Sequence, residues 1–232
     1  MKKILRILHR FRLLCPRLYK RMLQMHGISI GTDTIIDPDS TIDITRPSLV
    51  TIGEKCYLNK GLVIMTHDFV SGVIRNVYAD YINSSGKVTI GNNVRTGYNV
   101  TILKGVTIGD NCFIAAGSMV TKSMPSNSII GGVPARVLCS LDDYYQRRKC
   151  QCVTEAFEYA NSIEDRFGRK PQIFEFWEEF HLFIDKENIE DFDKDIMVYQ
   201  LGGEENYKKW LSLHKKTFKN FDDFLSHTKS YN

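Results

Sequence analysis

Between Ile90 and Pro125 the chain repeats every six residues, reading IGNNVR, TGYNVT, ILKGVT, IGDNCF, IAAGSM and VTKSMP. The first position of each block is Ile90, Thr96, Ile102, Ile108, Ile114 or Val120, so five of six are aliphatic and the sixth is β-branched. The fifth positions are Val94, Val100, Val106, Cys112, Ser118 and Met124, and the second is often Gly or Ala. An earlier run has the same grammar: Ile30, Ile36 and Ile42, a slip of four residues, then Ile52, Leu58 and Ile64. A helix of 3.6 residues per turn cannot carry a period of six. A short strand of about four residues followed by a bend of about two can, because side chains alternate along a strand. β-Branched residues suit such strands, and Gly and Asn suit bends that need positive φ. Three blocks close one triangular coil, and stacked coils make a solenoid filled by aliphatic side chains.

Beyond that slip, the repeat breaks off at one further place. After His67 it is lost over residues 68–87 and resumes at Val88. Insertions leave a solenoid as loops on one face, often the binding face. This one carries Asp68, Arg75, Tyr78, Asp80, Tyr81, Asn83 and Ser84, a polar and aromatic mixture suited to a sugar.

The two ends follow other patterns. Apolar residues at 4, 7, 8, 11, 14, 18 and 22 have helical spacing, with Lys3, Arg6, Arg10 and Arg17 mostly on the other side and a break or kink at Pro16. Two readings of this segment stand open. It caps the solenoid and hides the terminal strand edge, or it lies at an anionic membrane surface. Beyond Leu138 the six-residue period ends. Ser140 and Asp143 form a capping-box pattern that predicts a helix over 141–167, with Tyr145, Cys152, Ala156, Tyr159 and Ile163 along one stripe. IFEFWEEFHLFI and EENYKKWLSLHKKTF read as further helices, separated by Gly202–Gly203. The expected organisation is therefore a basic amphipathic segment at 1–26, a β-solenoid at 27–139 with an excursion at 68–87, and a helical extension at 140–232.

Charge sharpens this division. The net charge is +4, yet residues 1–140 carry 17 Lys and Arg against eight acids, while the remainder is acidic. The basic residues concentrate at one amphipathic end and form no groove with stacking aromatics, so nucleic acid is not an expected partner. The chain has no apolar run long enough to span a bilayer as a helix. Its six cysteines show no CxxC pair and no zinc spacing, as in a free-thiol cytosolic protein. Cys56 and Cys112 fall on fifth positions of the repeat and read as core.

The stretches IMTHDF, IGDNCFIAAGSMVTKSMP and GGVPARVL resemble the hexapeptide-repeat acyltransferases. The likeness is to the O-acetyltransferase branch, which includes the maltose and galactoside acetyltransferases and many modifiers of capsule and lipopolysaccharide. It covers roughly residues 27–139. It implies a mainly β fold, a left-handed parallel β-helix, and a homotrimer with active sites between subunits. It also implies acetyl-CoA as cosubstrate, no metal, and an excursion that reaches toward a neighbouring subunit.

His67 is the sole histidine between residues 27 and 180. An alcohol is a poor nucleophile until a base takes its proton, and imidazole is the side chain best matched to neutral pH. His67 is thus the expected general base for direct attack of a sugar hydroxyl on acetyl-CoA, the role the resemblance also implies. Asp37, Asp39, Glu54 and Asp68 are the candidates to orient it. The resemblance implies acceptor contacts from the segment holding Asp37, and the excursion adds Asp68, Tyr81 and Asn83. For coenzyme A it implies backbone contacts at Ala116 and Gly117, phosphate contacts near Thr121 and Lys122, and Arg136 near the 3′-phosphate. Tyr98 stands in the same groove where the family more often has a small residue, and Arg95 where it is often aromatic.

The leading expectation is an acetyl-CoA-dependent saccharide O-acetyltransferase acting on a surface polysaccharide or its precursor, in the cytoplasm or at the inner membrane face. An N-acetyltransferase of a nucleotide-linked amino sugar and a non-catalytic β-helical scaffold are the alternatives.

Overall fold

Six-residue grammar becomes three walls. The computed structural model describes residues 15–228. Their first element, α1 (Pro16–His26), leads into twelve short parallel strands that run round three faces. The first coil is β1 (Ser29–Ile30), β2 (Ile35–Ile36) and β3 (Thr41–Ile42); the second is β4 (Val50–Ile52), β5 (Tyr57–Leu58) and β6 (Val63–Ile64). After the helix α2 (Val70–Tyr78), the third coil is β7 (Val88–Ile90), β8 (Arg95–Thr96) and β9 (Thr101–Ile102). The fourth is β10 (Thr107–Ile108), β11 (Phe113–Ile114) and β12 (Met119–Val120). Strands stack in the orders β1-β4-β7-β10, β2-β5-β8-β11 and β3-β6-β9-β12, all parallel. A hairpin of β13 (Ser128–Gly132) and β14 (Ala135–Ser140) extends the second wall. The architecture is a parallel β-helix of hexapeptide coils.

Each two-residue strand buries one residue, and the three-residue strands β4 and β7 bury two. Ile30, Ile52, Ile90 and Ile108 line one wall, and Ile42, Ile64, Ile102 and Val120 another. A fully buried aliphatic side chain of this kind contributes about 2 kcal/mol through area removed from water. The second wall runs through Ile36, Leu58, Thr96, Ile114 and Ile130, and Thr96 is its polar member. Its hydroxyl is satisfied, since Oγ1 accepts the Asn59 N–H at 2.8 Å. The Thr96 carbonyl accepts the Asn59 side-chain amide at 2.6 Å. Cys56 and Cys112 are buried in the core as the repeat predicts, and burial pushes both thiols upward in pKa.

Helix α1 covers the open end of the first coil. Tyr19, Met22 and Leu23 join the solenoid core. Tyr19 Oη donates to the Ser40 carbonyl at 2.7 Å, Lys20 Nζ to Gly31 at 2.7 Å and Gln24 Nε2 to Ile30 at 3.1 Å. The carbonyls of the first coil thereby find donors. Residues 16–26 are a cap; the more basic, amphipathic residues 1–14 lie outside the described residues. Among the described residues no helix is long and apolar enough to cross a membrane.

The chain divides into two compact units after Tyr145. The second begins within α3 (Leu141–Phe167), where Ser140 and Asp143 pair at the helix start but only half of the expected capping box forms: Ser140 Oγ accepts the Asp143 N–H at 3.0 Å and donates to Asp143 Oδ2 at 2.6 Å. Its buried stripe is Ala156, Phe157, Ala160 and Ile163. Tyr145 and Tyr159, expected on that stripe, are 56% and 40% exposed, because Phe157 takes the inward position against Phe218 and Phe224. IFEFWEEFHLFI does not form the expected helix. It folds as two single turns, Ile173–Glu175 and Phe180–Leu182. Aromatic residues are indifferent helix formers, and Phe176, Phe180 and Phe183 instead pack with other rings in an aromatic core. Glu204–Leu213 is helical as expected; Lys194–Gln200 and Phe221–Thr228 are helices without a predicted counterpart.

Candidate active site

The excursion is pinched shut at its neck. His67 pairs with Ser85 in an antiparallel bridge, and the Gly86 N–H donates to the Thr66 carbonyl at 2.8 Å. Between these points the chain forms α2, none of whose residues is buried. Lys104, one coil further along, donates to both Asp68 and Ser84 and so ties the two sides of the neck together. The Lys104 hydrogen bond is the main cause that lowers the Asp68 pKa.

His67 stands at this neck with one ring nitrogen engaged. Its Nδ1 lies 2.7 Å from Asp43 Oδ2, and the two side chains are 22% and 9% exposed. Burial would raise the Asp43 pKa, but hydrogen bonds outweigh it and hold the carboxyl well below the usual carboxylate range. Thr45 donates its N–H (2.9 Å) and hydroxyl (2.6 Å) to Oδ1, and Thr66 donates its hydroxyl to Oδ2. An ionised carboxylate only accepts, so the proton between Asp43 and neutral His67 belongs to Nδ1. Nε2 then carries the lone pair and has no partner among the described residues. Phe69 packs edge-on against the imidazole at 5.2 Å between centroids.

A cavity of about 300 Å³ opens here, lined by Thr45, Arg46, His67, Asp68, Phe69, Ser71, Tyr81, Asn83 and Ser84. The structure therefore gathers His67, Asp68, Tyr81 and Asn83 into one place. Asp68 is there as a tether, already engaged by Lys104 and Ser84. Asp37 is elsewhere. It follows β2 at the corner between the second and third walls, where its carboxylate accepts the Asp39 N–H at 2.8 Å. None of Asp37, Asp39, Glu54 or Asp68 orients His67; Asp43 does.

Sequence reasoning missed Asp43, Thr45, Thr66, Arg46 and Lys104. One signal was present. Ile42 pairs with Ile64 and Thr41 with Val63, so the slipped coil spans 22 residues. Counting back by that interval from His67 lands on Thr45, two residues from Asp43.

The expected donor residues occupy two corners. Tyr98, Ala116 and Gly117 follow the second wall; Gly117 has φ +71° and donates its N–H to the Tyr98 carbonyl at 2.8 Å, and Tyr98 is 61% exposed. Thr121 and Lys122 follow β12, on the corner that carries His67 two coils earlier. Arg136 is exposed on β14. Within one chain, Tyr98, Ala116 and Gly117 do not line the His67 cavity.

A larger cavity of about 480 Å³ in the second unit includes His214 and Lys216. Both are engaged: His214 Nε2 is 2.7 Å from the His181 carbonyl, and Lys216 pairs with Asp185 at 3.0 Å. Among the described residues no carboxylate hydrogen-bonds the His214 ring as Asp43 does that of His67.

Residues 87–122 match the family described as bacterial transferase hexapeptide (six repeats). YvoF of Bacillus subtilis, provisionally named an acetyltransferase, is 30% identical over 132 residues, covering 57% of this chain and 70% of YvoF. The galactoside O-acetyltransferase of Escherichia coli is 55% identical over 56 residues, covering 24% of this chain and 28% of that protein. A hexapeptide-repeat acetyltransferase from Vibrio cholerae, solved with acetyl-CoA, is 30% identical with a TM-score of 0.43, covering 49% of this chain and 60% of that one.

Proposed function

This chain belongs to the hexapeptide-repeat acetyltransferases, and we propose that it transfers acetyl from acetyl-CoA to a hydroxyl of a saccharide, with His67 as general base. The Asp43–His67 contact carries this reading. It leaves Nε2 as a free acceptor beside a cavity of monosaccharide size. Nε2 takes the proton of the acceptor hydroxyl as its oxygen attacks the thioester carbon. The tetrahedral oxyanion collapses, the C–S bond breaks, and the imidazolium returns the proton to the departing thiolate. Asp43 stabilises the imidazolium that forms in between. No acyl-enzyme is required.

The division of the donor residues between two corners supports an oligomeric site. In a homotrimer of left-handed β-helices, Ala116, Gly117 and Tyr98 of one copy would flank His67 of the next, and Asp37 would approach the acceptor in the same way. Thr121, Lys122 and Arg136 would meet the phosphates of coenzyme A, since cationic side chains and fixed donors suit them. The supply of acetyl-CoA assigns the reaction to the cytoplasm, and a surface polysaccharide or its precursor is the fitting acceptor class.

Isothermal titration with acetyl-CoA tests the donor half. The reading predicts saturable binding by the oligomer; a folded oligomer that takes up no heat from acetyl-CoA contradicts it.

A further inference from the structure

Charge inside the His67 cavity is unequal in a way the acetyl-transfer reading does not need. Asp43 is committed to His67, Thr45 and Thr66. Asp68 is neutralised by Lys104. That leaves Arg46, half-buried in the cavity lining, with neither a side-chain hydrogen bond nor an ion pair among the described residues. Its backbone is fixed: Arg46 precedes Pro47, and its carbonyl accepts the Leu49 N–H at 3.0 Å. A guanidinium held at a cleft wall without a partner is a preorganised fork for a carboxylate or phosphate.

Its place along the solenoid separates it from the donor residues. The corners that follow β3, β6, β9 and β12 lie in successive coils, because Asp43, Met65 and Leu103 donate to the carbonyls of Ile64, Ile102 and Val120. Arg46 leaves the first of these corners, His67 the second, Lys104 the third and Lys122 the fourth. His67 thus stands between Arg46 and the lysine and threonine expected to meet coenzyme A. A cavity of about 300 Å³ is at the small end of ligand sites and holds one sugar unit.

From this we infer that the acceptor is an anionic saccharide, whose carboxylate or phosphate docks on Arg46 while a hydroxyl of the same sugar unit faces His67. The inference rests on the acetyl-transfer reading and names its substrate class.

Binding measured without turnover separates the two. Saturation-transfer NMR on the full-length protein would use methyl glucuronide, its methyl ester, glucose 6-phosphate and methyl glucoside as probes. An acidic probe is expected to bind at least about tenfold more tightly than its uncharged counterpart, the difference typical of a charge-assisted contact. The glucuronide and phosphate arms tell which anion is preferred. Arg46→Gln is expected to erase the difference and leave acetyl-CoA affinity unchanged, and Arg46→Lys to retain part of it, which also controls for folding. Equal binding of charged and uncharged probes, absence of binding by both acidic probes, or loss of acetyl-CoA affinity in Arg46→Gln each overturns the inference. Failure to bind acetyl-CoA in the unmutated protein would instead strike the acetyl-transfer reading.

Discussion

Asp43 Oδ2 lies 2.7 Å from His67 Nδ1, although the two residues belong to successive coils. The pairing fixes the imidazole tautomer, and with it the direction in which His67 can move a proton. Asp43→Asn removes that control while keeping the shape. It is expected to lower kcat by about 100-fold or more, within the range general-base catalysis contributes, with little change in acetyl-CoA affinity. Nitrogen-15 NMR of the His67 ring would show the Nδ1-protonated tautomer in the unmutated protein and a mixture in the variant. An unchanged tautomer and unchanged kcat would remove Asp43 from the mechanism.

The same carboxylate sets a pH dependence of stability. Its folded pKa is depressed, net of an opposing burial effect, by hydrogen bonds from Thr45, Thr66 and His67. The stabilisation is therefore present above the unfolded value of about 4 and is lost as pH falls through the folded value. Denaturant titrations between neutral pH and pH 2 should show a steeper acid loss in the unmutated protein than in Asp43→Asn. Parallel curves would contradict the assignment.

Lys104 holds the neck of the excursion through Asp68 and Ser84. Lys104→Ala should speed hydrogen exchange at Asp68 and Gly86 and raise KM for the acceptor. Acetyl-CoA affinity should not move. Unchanged exchange at both amides would show that the bridge between His67 and Ser85 suffices.

Thr96 is the polar position in an aliphatic wall, and it accepts the Asn59 N–H at 2.8 Å. Thr96→Val matches the volume but strands that donor, at an expected cost of about 1–3 kcal/mol. Thr96→Ser keeps the hydroxyl and should satisfy the donor. Equilibrium unfolding that ranks Val above Thr would show that packing outweighs the hydrogen bond.

How far the sequence reaches is visible in these same residues. The walls were legible because a buried position every six residues leaves a periodic trace, and even the exception, Thr96, is β-branched. His67 was legible because the repeat breaks beside it. Asp43 was not, since its partner depends on the register between coils, which a four-residue slip disguises. Arg46 and Lys104 matter through charge balance in a cavity, and no local pattern records that. The second unit was the least legible. Its aromatic residues have near-helical spacing, yet ring packing around Phe176 and Phe224 decides the backbone.

The central claim is that His67 deprotonates a saccharide hydroxyl for attack on acetyl-CoA. Its most direct test is mass spectrometry of acetylated saccharide formed from acetyl-CoA, comparing the unmutated protein with His67→Ala at saturating donor. The account predicts acetyl transfer by the former, a loss of about 10²–10⁴-fold in the latter, and equal acetyl-CoA binding by both. Transfer by His67→Ala at the unmutated rate would contradict it.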